Sequence, residues 1–437
     1  MQPIDRLLDL AALPASALPD RSRAMARFSF FDWIVCGRAG RTEPLARILR
    51  DMIATEGGQP VAAVIGGGAA PARAAALVNG ATSHALDYDD THFAHVGHPS
   101  VAIYPAALAV AEAVDAPASA VADAFLVGAE ASIRVGLQLG RGHYERGFHQ
   151  TATAGAFGAT IAAGRILGLD RVGMRTALGL CATRASGLRG QFGTMGKPYN
   201  AGLAAANGVE CAELAARGFT SADDGLSGPQ GFVATHSDAP QPDAAWQDPP
   251  PGRFLFEDIR YKLHACCHGT HAMIEGLAAA RDRGVNAERI NAIRLRTNPR
   301  WLTVCDIRNP RTGLEAKFSY AWLAGMVFLG PATEAESSYS DALAIDPGLS
   351  AFAARVIVTG DTTLTDMQAE GEITLHDGTS LPFAHDLADP LPHAVLERSL
   401  RNKADNLLGK DATAIWQAIS TLDTLPAKAI GNLLSAT

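Results

Sequence analysis

Small apolar residues set the pattern of most of this chain. Between Pro71 and Leu86, Ala74, Ala75, Leu77, Val78, Ala81 and Ala85 recur with a period near 3.6, which predicts a helix with one buried face. His84, Tyr88 and Thr91 would extend one face of that helix at i, i+4 and i+7. Asp89 and Asp90 would then fall near its end, with Gly97 and Pro99 stopping it. Upstream, Met25, Phe28, Phe31, Ile34 and Val35 predict a helix from Asp20 to Cys36, ended by Gly37. From Pro71 to about Ala216 the chain stays rich in Ala, Leu and Gly. Its breaks fall at Gly97, Pro117, Gly140–Gly147 and Gly187–Gly196. The segments between them suit helices packed through small residues. Gly155 and Gly158, inside the helical pattern Thr151–Leu169, lower helix propensity and so predict close helix contacts.

The period changes after a Pro-rich connector, Asp238–Gly252, that carries little core. Ile293, Leu295 and Thr297 alternate with Arg294 and Arg296, the pattern of a half-exposed strand. Ala354–Thr359 is a second strand candidate, and Glu372–Phe383 reads as a hairpin turning at Asp377-Gly378. From Leu391 onward the pattern is helical again. The expected fold class is therefore mainly α: a large all-helical domain plus a smaller α+β domain. The first would comprise residues 1–265, completed by 390–437, and the second residues 266–389.

Composition narrows the function classes. Apolar residues make up 48% of 437, as in a globular chain with a large core. The net charge of −8 argues against a general nucleic-acid binder, which needs a basic face. The six Cys show no CxxC and no framework spacing, and read as reduced thiols of a cytoplasmic protein. Asp5, Asp9, Pro14 and Pro19 interrupt any secretory apolar region. The strongest apolar run, Trp322–Leu329, has the length of a core helix and falls short of the ~18 residues of a membrane span.

Five stretches concentrate chemistry. The first, Asn79–Ser100, interleaves His84, Asp87, Tyr88, Asp89, Asp90, Thr91, His92, His95 and His98 with apolar residues. It reads either as a site or as a capped helix terminus with solvated acids. The second is Tyr144–Thr151, after the glycine-bracketed loop LGRGHYERG. It places His149 just before a helix, where backbone N–H groups favour anions; a cap or packing role is the plainer reading. The third, Thr183–Gly202, has five glycines with Arg184, Arg189 and Lys197, and Pro198 fixing the backbone beside the lysine. Such a loop can approach and hold a carboxylate, or can be a flexible basic surface loop. It is not a Walker loop. In the fourth, Lys262–His271, the residues His264, Cys267, His268 and His271 would share a helix face. That invites a zinc reading, but ligands from two turns of one helix, without CxxC or HExxH, argue for packed thiols and one or two polar site residues. The fifth is Lys317–Trp322, where Tyr320 is either a site residue or a core aromatic with a bonded hydroxyl.

Taken in order, HALDYDDTH, HPS, RGFHQT, GTMGKPYNAG and KLHACCHGTH resemble the MmgE/PrpD family, and the likeness runs over nearly the full chain. That family contains 2-methylcitrate dehydratase, cis-aconitate decarboxylase and iminodisuccinate epimerase. The resemblance implies a homodimer with a metal-free, cofactor-free site between its two domains. Position by position it places site residues at Asp89, Thr91, His98, His149, Lys197, His271 and Tyr320; Tyr144 and Lys262 join them on chemical grounds. RGFHQT and GTMGKPYNAG favour the decarboxylase and epimerase branches, whereas LHACCHG departs from the aromatic-and-proline form common before the last His.

The expected activity is epimerisation or a related lyase reaction on a small di- or tricarboxylate by a cofactor-independent, proton-abstracting enzyme, most like iminodisuccinate epimerase or cis-aconitate decarboxylase, with 2-methylcitrate dehydratase-type hydro-lyase chemistry as the alternative. Charge must develop on carbon beside a carboxylate, so the site must stabilise it. His149 and His98 are the first choices for proton transfer, with Tyr144 as a further acid and Asp89 orienting a histidine. Lys197 and Lys262 would supply positive charge, and Thr91, His271 and Tyr320 would bind substrate. Two rivals from other classes are a non-catalytic polycarboxylate binder and a zinc protein centred on His264–His271.

Overall fold

The computed structural model describes residues 2–247, 249 and 251–436. The chain divides into two compact units, Met1–Tyr261 with Leu408–Thr437, and Lys262–Leu407.

The first unit is helical. Its centre is formed by the helices Ala72–Ser83, Pro99–Ala113, Ala118–Arg146, Gln150–Ile166 and Gly196–Ala216, packed against one another. Small residues make this possible. A Cβ on Gly158 would come within 2.5 Å of the Gly128 carbonyl oxygen, and one on Gly80 within 2.9 Å of Gly202 Cα. Backbones this close leave no room for side chains between them, which is why the alanines and glycines of the sequence fill this region. Aromatic residues surround that small-residue centre. Phe30 stacks on Tyr104 at 4.4 Å, Tyr104 on Phe125 at 3.6 Å, and Trp33 Nε1 donates to Ser83 Oγ at 2.9 Å. The last bond ties the Asp20–Gly40 helix to the residue before His84.

Several element boundaries differ from the sequence pattern. The Asp20–Gly40 helix does not stop at Gly37; a Cβ there would meet Ile65 Cδ1 at 2.7 Å, so that glycine serves packing. The Ala72–Ser83 helix ends at Ser83, and Tyr88 and Thr91 do not continue its face. His84 Nδ1 reaches Asp89 Oδ1 at 2.8 Å, and a contact between i and i+5 requires the chain to leave the helix, where those positions diverge. Asp87 makes the turn with φ +52. Pro99 starts the next helix instead of stopping the previous one, because proline at the first helical position lacks only an N–H that would be unpaired anyway. LGRGHYERG is not a loop. The Ala118–Arg146 helix is interrupted only at Gly140 (φ 74, ψ 173), and Tyr144 lies on its last turn. The connector is also less bare than its composition suggests. Pro242–Ala245 forms a helical turn, the Ala245 carbonyl accepts from Arg134 Nη1 at 3.0 Å, and Arg134 lies 5.1 Å over Trp246. Asp248 and Pro250 of that connector lie outside the described residues.

The second unit contains a four-stranded sheet ordered Val356–Gly360, Ile290–Thr297, Gln368–Leu375, Ser380–Asp386. The first pair is parallel and the others antiparallel. Ile293, Leu295 and Thr297 are buried while Arg294 and Arg296 face out as their alternation requires. Gly378, at φ +86, turns the hairpin, and Asp377 Oδ1 accepts from Thr379 N at 2.9 Å. The His271–Asp282 helix packs on this sheet at Gly276, where a Cβ would lie 3.0 Å from Phe383. Tyr320–Leu329 is a buried core helix. The residues before His271 do not form the helix expected for Lys262–His271. His268–Thr270 is a single 3₁₀ turn and the helix begins at His271, so His264, Cys267, His268 and His271 share no helix face. The fold is mainly α, with a small mixed sheet.

Candidate active site

Three helix starts carry the site of the first unit. His98 occupies the N-cap position of Pro99–Ala113, His149 that of Gln150–Ile166, and Lys197 lies in the first turn of Gly196–Ala216. Lys197 is therefore not in a free glycine turn; its backbone is fixed by the helix. The starts are linked, since His98 N–H donates to Thr151 Oγ1 at 3.0 Å. Each helix start presents unpaired N–H groups and the positive end of a dipole. A cation at such an end is electrostatically unfavourable unless an anion joins it, so the arrangement favours an anionic ligand.

Asp89 organises the imidazoles. Fully buried, it faces His84 Nδ1 with Oδ1 and His98 Nδ1 with Oδ2, each at 2.8 Å. Burial pushes its carboxyl up, yet His84 and His98 together hold it well below the usual carboxylate range. His84 is pushed down to about 4 by burial, against the pull of Asp89. At neutral pH it is thus a neutral ring donating Nδ1–H to the Asp89 carboxylate. The His84 ring lies 4.6 Å from that of His98 and 6.1 Å from that of His149. Asp90 has a different task. It accepts from Ser100 Oγ at 2.5 Å and from Ser100 N at 3.3 Å, fastening the loop to the start of the following helix. Burial raises its pKa to about 7.

Lys197 donates to Asp87 Oδ1 at 2.6 Å, and His98 Nε2 lies 3.7 Å from the same oxygen. His149 is buried, and burial, then His84 and Lys197, hold its ring well below the usual imidazole range. Its neighbour Phe192 lies 5.0 Å away edge-on and also sits 5.6 Å from Lys197 Nζ. Arg189 lies 3.9 Å over the Tyr144 ring and 5.8 Å from Phe192, which connects Tyr144 to this group. Thr91 exchanges backbone hydrogen bonds with Arg260 at 2.7 and 2.8 Å.

The structure thus brings Asp89, His98, His149 and Lys197 together. Lys262, His271 and Tyr320 belong to the second unit. There Lys262 and His271 are buried, and burial, then His268, His264 and Lys262, lower the His271 pKa strongly. The Tyr320 hydroxyl donates to the Gly269 carbonyl at 2.8 Å, the bonded-core form. His264 bonds Thr333 Oγ1 at 2.8 Å and Glu275 Oε1 at 3.1 Å, so its ring nitrogens are engaged by groups other than a zinc ligand set. The sequence pattern left out His84, Asp87 and Asn200 as site residues. The first two lie within the stretch already marked, but their partners, at i+5 and 110 positions away, follow no spacing rule.

Donor atoms of His84, Asp87, Asp89 and His98 lie within 4.8 Å of one another, close enough to share a metal ion. These donors are already engaged: Asp89 by two imidazoles and Asp87 by the Lys197 ammonium. A divalent ion would have to displace both sets of contacts.

Two family models match the chain, the MmgE/PrpD N-terminal domain over residues 10–245 and the MmgE/PrpD C-terminal domain over residues 264–422. The chain belongs to the MmgE/PrpD family. Among curated MmgE/PrpD relatives, cis-aconitate decarboxylase of Aspergillus terreus is 30% identical over 282 residues, covering 61% of this chain and 57% of that protein. Cis-aconitate decarboxylase of Mus musculus is 30% identical over 225 residues, 50% of this chain and 46% of its own length. That of Homo sapiens is 34% identical over 173 residues, 38% and 36%. Each match spans less than two thirds of the relative. Among the described residues, no helix is long and apolar enough to cross a membrane.

Proposed function

We propose that this protein is a lyase acting on a small tricarboxylate, with decarboxylation of a cis-aconitate-like substrate as its reaction, without a metal or other cofactor. The observation that carries this reading is the meeting of three helix starts bearing His98, His149 and Lys197 around the Asp89 carboxylate. A polyanion is held there by an ammonium and by dipole ends. The names and identities of the relatives support decarboxylation over epimerisation.

In the proposed step the bond from the substrate skeleton to one carboxylate breaks and carbon dioxide leaves. The released electron pair moves through the adjacent C=C to a carbon that then takes a proton. Lys197 and the helix starts stabilise the charge while it is spread towards a remaining carboxylate. His98 delivers the proton. Asp89 Oδ2 lies 2.8 Å from its Nδ1, so Nε2 is the nitrogen that exchanges protons with substrate and solvent. Its side chain is 12% exposed, whereas those of His84 and Asp89 are sealed. The Asp87–Lys197 pair is the resting state, and an incoming carboxylate replaces Asp87 on the ammonium. The protein is a homodimer on this reading, as the family resemblance implies, and cytoplasmic, as its cysteine pattern implies; Tyr144 and Thr91 are further substrate contacts in the first unit, and Lys262, His271 and Tyr320 are candidate substrate-binding residues of the second unit.

The test is a panel of citrate, methylcitrate, cis-aconitate and iminodisuccinate followed by NMR in deuterium oxide. Decarboxylation with one deuterium placed on the product carbon is expected for the cis-aconitate type. Exchange without carbon dioxide loss would instead mark an epimerase, and loss of water a hydro-lyase. Binding with no exchange at any C–H would reduce the protein to a polycarboxylate binder.

A further inference from the structure

Asn200 lies one turn beyond the start of the Gly196–Ala216 helix and is 5% exposed. Its amide nitrogen is 3.2 Å from the Leu188 carbonyl oxygen and 3.2 Å from His149 Nδ1. A carbonyl can only accept, so the Asn200 group facing Leu188 must be the NH2. The same NH2 faces His149 Nδ1, and that nitrogen must therefore accept and carry no proton. The ring's single proton is left on Nε2, which makes no hydrogen bond among the described residues. The His149 backbone is pinned as well, its N–H donating to the Gly187 carbonyl at 3.0 Å. The groups around the ring work in the same direction. His84, Lys197 and His98 disfavour a second proton, the helix start behind the ring does too, and Asp87 alone opposes them.

We propose that Asn200 is a positioning residue that locks His149 as a neutral Nε2–H donor, so that His149 stabilises developing negative charge while His98 carries the proton. This rests on the lyase reading above and gives the two histidines separate roles. A neutral imidazole is a poor source of a transferable proton, since losing it leaves an imidazolate. As a fixed hydrogen-bond donor to a carboxylate or carbanion oxygen it needs no reorganisation during the reaction. The pair His98–Asp89, with a carboxylate behind Nδ1, suits the proton shuttle that the pair His149–Asn200 does not.

The experiment is ¹⁵N-detected NMR of histidine-labelled protein, with the His149 ring assigned from the signals lost in His149→Gln. The expected spectrum shows Nδ1 unprotonated and Nε2 protonated, unchanged between pH 8 and pH 5. Asn200→Asp presents an acceptor to Nδ1 and should move the proton there or give the imidazolium; Asn200→Ala should give a tautomer mixture. With active substrate, Asn200→Asp should lower kcat by ~10²-fold, the scale of losing one oxyanion donor. KM should change far less, and a purely structural role would not couple kcat to the tautomer. A protonated Nδ1 in the wild-type protein overturns the proposal, as does an unchanged tautomer in Asn200→Asp. A shifted tautomer with wild-type kcat overturns the catalytic role. The tautomer is read without turnover, so a failure to decarboxylate any substrate counts against the lyase reading and leaves the lock to be decided by the spectra.

Discussion

Lys197 Nζ lies 2.6 Å from Asp87 Oδ1, joining the first turn of a helix to a residue 110 positions earlier. Asp87 holds a left-handed backbone conformation, φ +52, that a β-carbon tolerates poorly. Its side chain is 38% exposed against 15% for Lys197. The aspartate is the more accessible partner, and in the proposed reaction a substrate carboxylate takes its place on the ammonium.

Lys197→Met should therefore harm both steps. It removes a charge-assisted contact in the bound state and the stabilisation of carbanionic charge, so KM should rise and kcat should fall, with a loss in kcat/KM of at least ~10²-fold. Steady-state kinetics on the active tricarboxylate reads both. A rise in KM with unchanged kcat would reduce Lys197 to a binding residue.

Asp89→Asn preserves shape but halves the acceptor capacity. One imidazole, His84 or His98, then loses its partner, and the Nδ1–H of His98 is no longer held by a charge. Turnover should drop by ~10²–10⁴-fold, the worth of general acid–base catalysis, with KM changing little. Deuterium incorporation into product isolates the proton step; wild-type incorporation would remove His98–Asp89 from it.

Prolonged dialysis against a strong chelator should leave activity unchanged, because Lys197 supplies the cation that neutralises Asp87 and the imidazoles already engage Asp89. Loss on chelation and recovery with one divalent ion, with the metal bound at one per chain, would assign the group His84, Asp87, Asp89 and His98 to a metal instead.

Acid should weaken the fold below about pH 6.5, the ordinary imidazole pKa. Burial lowers His84, His92 and His143 to about 4 and His95 to about 3. A depressed folded pKa means the unfolded state takes up more protons as pH falls, so stability present above about 6.5 is lost on the way to 4. Asp90 and Glu112, each raised to about 7, and Glu130 and Asp306, also raised by burial, act with the opposite sign, but His149 and His271 are lowered as well, so six histidines stand against these four carboxyls. Thermal midpoints measured from pH 7.5 to 4 should fall. His92 shows why: Nε2 donates to the Leu255 carbonyl at 2.9 Å while Nδ1 accepts from His95 N at 3.2 Å, so protonating Nδ1 breaks a bond. His92→Gln should flatten the slope by about one proton; a midpoint independent of pH would contradict the whole account.

The sequence alone determined the helical centre, the sheet and the neighbourhood of the site. Alanine and glycine at helical spacing permit only close backbone packing, and alternation of Ile293, Leu295 and Thr297 with arginines permits only a half-buried strand. Charged and imidazole groups embedded among apolar residues marked the stretches that hold Asp89, His98 and His149, and the family resemblance singled out those residues within them. What it misread were junctions. His84–Asp89 pulls the chain out of a helix that the apolar period would continue, and Pro99 opens a helix where it was expected to close one. Only tertiary structure decided that three helix starts converge, that Lys197 meets Asp87, and that Asn200 faces His149 Nδ1. The physical reason is that periodicity reports which face of an element is buried, whereas a proton's place on an imidazole is set by a single partner distant in sequence.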